Sequence, residues 1–234
     1  MPGTVVNGFD VRGRIVVEAP GVTIRNSVVR GAPSGYSTPT YLIVNWGQAG
    51  LTVIDSEIAP TTPGPYVNGV VGNNYTLTRV DIHHVIDSAN ILGDHVTIRE
   101  SWLHDNLYYE QDPVWNGRPS HADSIQIQNG SNISIVDNWI MSGRNAGVMI
   151  TQDRGPVSNL TFARNTASGG MCTINIAQKT YGPLHGVTIV DNSFARNTTI
   201  ADCAIIAPTT TTALMTVRDN RYRPDNAIVT VRRG

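Results

Sequence analysis

An eight-residue pattern recurs eight times along this chain, always in one direction and with one internal polarity. It restricts the fold to a stack of like coils. The copies are VTIRNSVV from Val22, LTVIDSEI from Leu51, YTLTRVDI from Tyr75, VTIRESWL from Val96, ISIVDNWI from Ile133, LTFARNTA from Leu160, VTIVDNSF from Val187 and MTVRDNRY from Met215. A weaker ninth copy, GTVVNGFD, opens at Gly3. Successive starts of the eight lie 29, 24, 21, 37, 27, 27 and 28 residues apart. A period that drifts through the twenties belongs to a solenoid.

Positions one and three of each copy are apolar, and position two is Thr in seven copies and Ser134 in the eighth. Alternation with period two, rich in β-branched residues, predicts a strand whose apolar face turns inward. Position eight is apolar again (Val29, Ile58, Ile82, Leu103, Ile140, Ala167, Phe194, Tyr222). Position six ends in a run of Asn138, Asn165, Asn192 and Asn220, whose amides can stack from coil to coil as a hydrogen-bonded ladder. Further short strands are expected at YLIVN, ANILG, DSIQIQ, AGVMI and TINIA. A β-sandwich would need antiparallel returns, which same-direction copies do not supply. The expected fold is all-β: a single-domain parallel β-helix, or solenoid, of about eight to nine coils over residues 1–234.

With net charge −1 and 15% charged residues, the chain has neither a nucleic-acid stripe nor a basic membrane face. No apolar run is long enough to span a membrane, and residues 1–20 do not read as a signal peptide. Cys172 and Cys203 fall at comparable places on consecutive coils, close enough for a disulfide. Two reduced thiols filling adjacent core sites are the preferred reading from sequence. The coil stack shows no capping element at either end, which points to a larger assembly or to end-on contact with a partner or another copy.

One coil is out of proportion. Five residues separate Ile82 from Ser88 and six separate Ile140 from Gly147, but twenty separate Leu103 from Ser124 on the coil between. This excursion, at about residues 105–122, carries Tyr108, Tyr109 and Trp115 with Glu110, Asp112 and Arg118, a composition suited to stacking on sugars. The coil register places His83 on His104, Asp87 on Asp123 and Asn90 beside Gln126, with His121 at the far mouth and Arg144 arriving from the next coil. The expected catalytic set is therefore Asp123, His121, Asp87, His104 and Arg144. His83, Asn90, Gln126, Tyr108, Tyr109, Trp115, Glu110, Asp112 and Arg118 are expected to bind substrate. Two stacked carboxylates suit a glycosidase. A base with Arg144, Arg118 or a bound Ca²⁺ to neutralise a uronate suits a lyase. Asp87 and Asp123 capping turn amides is the bland alternative. His83, His104, His121, Asp87 and Asp123 are also metal-competent, but their spacing matches no standard pattern and no metal is assigned.

The repeats, together with His121-Ala122-Asp123-Ser124-Ile125-Gln126 and Gly130-Ser131-Asn132, resemble the right-handed parallel β-helix, pectate-lyase-like superfamily. More narrowly, they are similar to small β-helix proteins of actinobacteria and their phages, in which a Gly commonly stands where this chain has Ser124. The Asp cluster of calcium-dependent pectate lyases and the paired Asp of polygalacturonases are not matched. The resemblance implies a right-handed helix and a polysaccharide partner, bound and depolymerised by a lyase or glycoside hydrolase. The implied setting is extracellular or virion-associated, for instance in a phage tail. The other function it implies is a non-catalytic glycan-binding or structural module.

Overall fold

Parallel pairing dominates the computed structural model, which describes residues 1–141 and 143–234. Every pairing between its strands is parallel; the two antiparallel contacts are isolated bridges, Asp112 with Arg118 and Arg221 with Ile228. The described strands make nine coils. In each, a strand at the head of the repeat turns a corner into a second strand, and a third strand runs in a separate sheet: Thr40–Asn45, Val67–Gly72, Ala89–Leu92 and Ala146–Ile150 are examples. No described helix is long and apolar enough to cross a membrane.

The register is the one the repeats imply. Thr23, Thr52, Thr76, Thr97, Ser134, Thr161, Thr188 and Thr216 form one vertical row. Beside it, Ile24, Val53, Leu77, Ile98, Ile135, Phe162 and Ile189 point inward and are buried. The first coil corrects one boundary. Val5 pairs with Thr23 and Val6 with Ile24, so the ninth copy starts at Thr4 rather than Gly3. Val5 and Val6 are both β-branched, so period two cannot choose between them; packing against the core selects Val6.

Position five is the corner. Asn26, Asp55, Arg79, Glu100, Asp137, Arg164, Asp191 and Asp219 all adopt positive φ, between 48° and 59°. Left-handed backbone costs a residue with a Cβ roughly 1 kcal/mol, and in the later coils the Asn ladder of the next residue offsets it. Asn165, Asn192 and Asn220 each accept on Oδ1 from the backbone N–H and side-chain amide of the Asn one coil before, and Asn138, Asn165 and Asn192 each donate Nδ2 to a carbonyl of the preceding coil. Asn220 closes the row under Asn192, and Ser101 joins it from above. All four Asn are buried.

The excursion leaves and rejoins the stack through Asn106, which the sequence reading passed over. Its Nδ2 donates to the Ile86 carbonyl and Ser88 Oγ, while its Oδ1 accepts from Ser124 Oγ. Ser124 therefore latches the loop base. Gly130, at the following turn, has φ 119°, and a Cβ there would lie 2.2 Å from the Gly93 carbonyl oxygen. Cys172 and Cys203 are joined as a disulfide with Cα atoms 4.7 Å apart, which corrects the thiol reading. The coil pitch alone brings the two within bonding range.

Two stability outcomes are expected. Asn165→Ala orphans the Asn138 N–H and the Ile135 carbonyl inside the stack, so urea unfolding should show a loss of about 2–4 kcal/mol. Cys203→Ser opens a covalent loop closed across 31 residues, and should cost about 3–4 kcal/mol in the same measurement.

Candidate functional site

The pleat decides what each side of the excursion offers. His83 pairs with His104, and their rings stack with centroids 5.0 Å apart. Both lie on the outward row of the second strand, together with Asp81 and Trp102. Their partners are local: His104 Nε2 lies 2.8 Å from Asp81 Oδ1 and Nδ1 lies 2.8 Å from Asp105 Oδ2, while Trp102 stacks on the His104 ring.

Asp87 and Asp123 are also vertical neighbours, but they turn toward backbone. Asp87 Oδ1 accepts the Asp123 N–H at 2.9 Å and its Oδ2 accepts from Asn90 at 2.9 Å. Asp123 Oδ1 accepts from Asn145 at 2.8 Å, and its Oδ2 has no hydrogen-bond partner among the described residues. Asp123 is 0% exposed and Asp87 8%. The open position expected for Asp123 is therefore not realised, and Asn90 is likewise buried as a partner of Asp87. Burial pushes Asp87 up to about 6. Burial, then the charge of Asp87, holds Asp123 well above the usual carboxylate range.

Asp87 does border an opening. A cleft of 240 Å³ is lined by Asp87, Tyr41, Asp112, Trp115, His121, Gln126 and Asp153. The excursion forms one wall of it. Trp115 stacks on His121 with ring centroids 4.0 Å apart, and burial followed by the Arg118 charge lowers the His121 pKa. Asp112 is buried, caps Val114 N–H of the short 3₁₀ turn Pro113–Trp115 and accepts from Ser120 Oγ. Both of its oxygens thus hold the loop in shape at the wall of the cleft.

His121 also lines a second hollow of 380 Å³ with Tyr108, Arg118, Arg144, Asn145 and Met171. Arg144 lies over the Tyr108 ring at 5.0 Å and 3.9 Å from Glu110. Tyr109 is half-buried and its backbone N–H donates to Ser120. The structure thus divides the single expected centre. Asp87, His121, Trp115 and Gln126 face one cleft, Arg118, Arg144 and Tyr108 flank His121 on its other side, and His83 and His104 belong to a different face.

A larger concavity than either of these is one the sequence reading missed. A groove of 870 Å³ follows the corner across five coils and is lined by Asp55, Glu57, Arg79, Asp81, Glu100, Trp102, Asp137 and Trp139 among others. Trp102 and Trp139 pair on adjacent coils and are 42% and 58% exposed. Position seven of the repeat, one before the inward position eight, carries both, so strand alternation contained the signal.

A family model described as right handed beta helix region matches residues 13–222. Among solved structures, the A-module of a mannuronan C-5 epimerase from Azotobacter vinelandii is similar at 11% identity and a TM-score of 0.45, covering 99% of this chain and 83% of that one. A likeness of that size carries no argument about reaction. No curated protein matches the sequence.

The buried carboxylate has a measurable consequence. Asp87 binds its proton more tightly in the folded chain than in the unfolded one, so stability is full below about pH 4 and declines as pH rises through about 6. The loss should approach about 3 kcal/mol at neutral pH. Thermal unfolding followed from pH 4 to 7 should show that fall; Asp87→Asn should reduce it, leaving the part that buried Asp123 contributes with the same sign.

Proposed function

The chain belongs to the right-handed β-helix family, and from that premise we propose that it binds an extended polysaccharide and cleaves it at the Asp87–His121 cleft. The observation that carries the reading is the pairing of two oppositely tuned groups in one opening. A carboxyl group stays protonated to about pH 6, and an imidazole is biased toward its neutral form. Such a pair can supply an acid and a base at one mildly acidic pH.

In this mechanism Asp87 protonates the departing glycosidic oxygen. His121 takes a proton either from water, giving hydrolysis, or from the carbon next to a uronate carboxylate, giving elimination. Trp115 and Tyr41 offer faces on which a sugar ring can stack. Arg118 and Arg144, in the hollow on the other side of His121, suit a substrate bearing carboxylates. The corner groove with its paired tryptophans is long enough, at about 4.8 Å per coil, to hold several sugar units of a chain. The Cys172–Cys203 bond supports an oxidising setting, cell-surface or virion-associated, and a tail-borne depolymerase would fit it.

One observation favours a binding module without turnover: both oxygens of Asp87 already accept hydrogen bonds. The two readings separate in one experiment. The protein is incubated with neutral and uronate-containing bacterial and plant glycans, following absorbance near 235 nm for unsaturated ends and reducing sugar for hydrolysis. Cleavage should appear with a mildly acidic optimum, decline as pH rises above about 6, and fall at least a hundredfold in Asp87→Asn and His121→Ala. Glycan retention without new ends would leave only the binding module, and turnover unaffected by both variants would move the chemistry elsewhere.

A further inference from the structure

The outward face that carries His83 and His104 shares no lining residue with the Asp87–His121 cleft, while its Glu57 and Asp81 also line the corner groove. Along the strand Tyr75–His83, Asp81 and His83 stand two residues apart and point to the same side. One coil later Trp102 and His104 repeat the spacing, with Trp102 over Asp81 and His104 over His83. One coil earlier Glu57 pairs with Asp81 and lies 3.6 Å from His83 Nε2. One donor atom from each of Asp81, His83 and His104 lies within 4.8 Å of the others.

The surrounding contacts orient these donors. His104 sits between Asp81 and Asp105, each 2.8 Å from one of its ring nitrogens. A ring with one N–H donates to only one of them, and the other contact is met by a second proton or by a metal ion. Donation from Nδ1 to Asp105 leaves the Nε2 lone pair facing the Asp81 carboxylate, an arrangement that a cation between them satisfies. A carboxylate behind a histidine is the usual support of a metal-bound imidazole. His83 is held in a similar way: its Nδ1 shares a hydrogen bond with His84 Nδ1 at 2.6 Å, and its Nε2 remains on the Glu57 side. Trp102, stacked on His104 with centroids 3.6 Å apart, fixes the second ring.

We propose that Asp81, His83 and His104, with Glu57 in reach, form a binding site for a divalent transition metal ion on the outer face of the β-helix. Two imidazoles and one or two carboxylates suit Zn²⁺, Co²⁺, Ni²⁺ or Cu²⁺. A set with so few oxygens does not suit Ca²⁺, which takes six to eight oxygen ligands. His104 is largely buried while Asp81 is open, so an ion has a path in and room for water as a further ligand. The site draws on three successive coils, so the ion would clamp them across the sheet. It shares no residue with the Asp87–His121 cleft.

The test uses the whole chain, stripped with EDTA and dialysed, titrated with Zn²⁺ by calorimetry and with Co²⁺ by visible absorption. One Zn²⁺ per chain is expected, with a Co²⁺ spectrum of nitrogen and oxygen ligation. His104→Gln and Asp81→Asn should each weaken Zn²⁺ at least tenfold. Asp105→Asn, which touches only the back of His104, should weaken it by about 10–100-fold, and His121→Ala should leave it unchanged. Circular dichroism of each variant checks folding. If His104→Gln does not fold, Asp81→Asn and Asp105→Asn decide the outcome. Absence of stoichiometric binding would overturn the site, as would binding that His121→Ala abolishes and the Asp81 and Asp105 variants retain.

Discussion

Everything in this molecule depends on vertical register: each strand pairs in parallel with its counterpart one coil away, so equivalent positions of the repeat become neighbours about 4.8 Å apart. Apolar side chains alone would tolerate slippage by two residues. The buried position-six ladder does not, because each Asn must find both a carbonyl above and an amide on its own row. Beside the ladder, charged residues such as Glu100 and Arg164 hold the left-handed corner.

With the register in place, opposite charges on the corner fall one above another. Asp55, Arg79 and Glu100 form one such set, and further along the same column Arg164 bonds Asp137 through two nitrogens. These pairs are exposed, so their contribution is to favour the correct neighbour over a shifted one rather than to add much stability. The same geometry assembles the disulfide, the paired tryptophans and the two-histidine face from residues far apart in sequence. The excursion needs a different device, and Asn106 supplies it by tying the loop mouth to Ser88 and Ser124.

The sequence was readable where period two applied. The strands, the Asn ladder, the His83–His104 rung and the position of the excursion all follow from alternation and coil spacing. At the turns that rule lapses, and the errors gather there. Stacking placed Asp87 on Asp123 but could not tell that Asp123 would turn inward toward Asn145. The cap that Asp112 forms on Val114 was not legible, because a buried cap and an exposed acid look alike in sequence. Gly3 was taken as a strand start since two adjacent valines fit either phase. The outward row of Glu57, Asp81, Trp102 and Trp139 follows from alternation alone, since each is position seven of its copy.

The register itself can be tested by cross-linking. Thr97 and Ser134 are 37 residues apart in sequence and direct neighbours on the outward row. The native cysteines are already bonded to each other, so no free thiol competes. Thr97→Cys combined with Ser134→Cys should form a disulfide under mild oxidation, detected by mass spectrometry. Thr97→Cys with Thr161→Cys, two coils apart, should not. A linked second pair, or an unlinked first pair in folded protein, would contradict the stack on which the whole account stands.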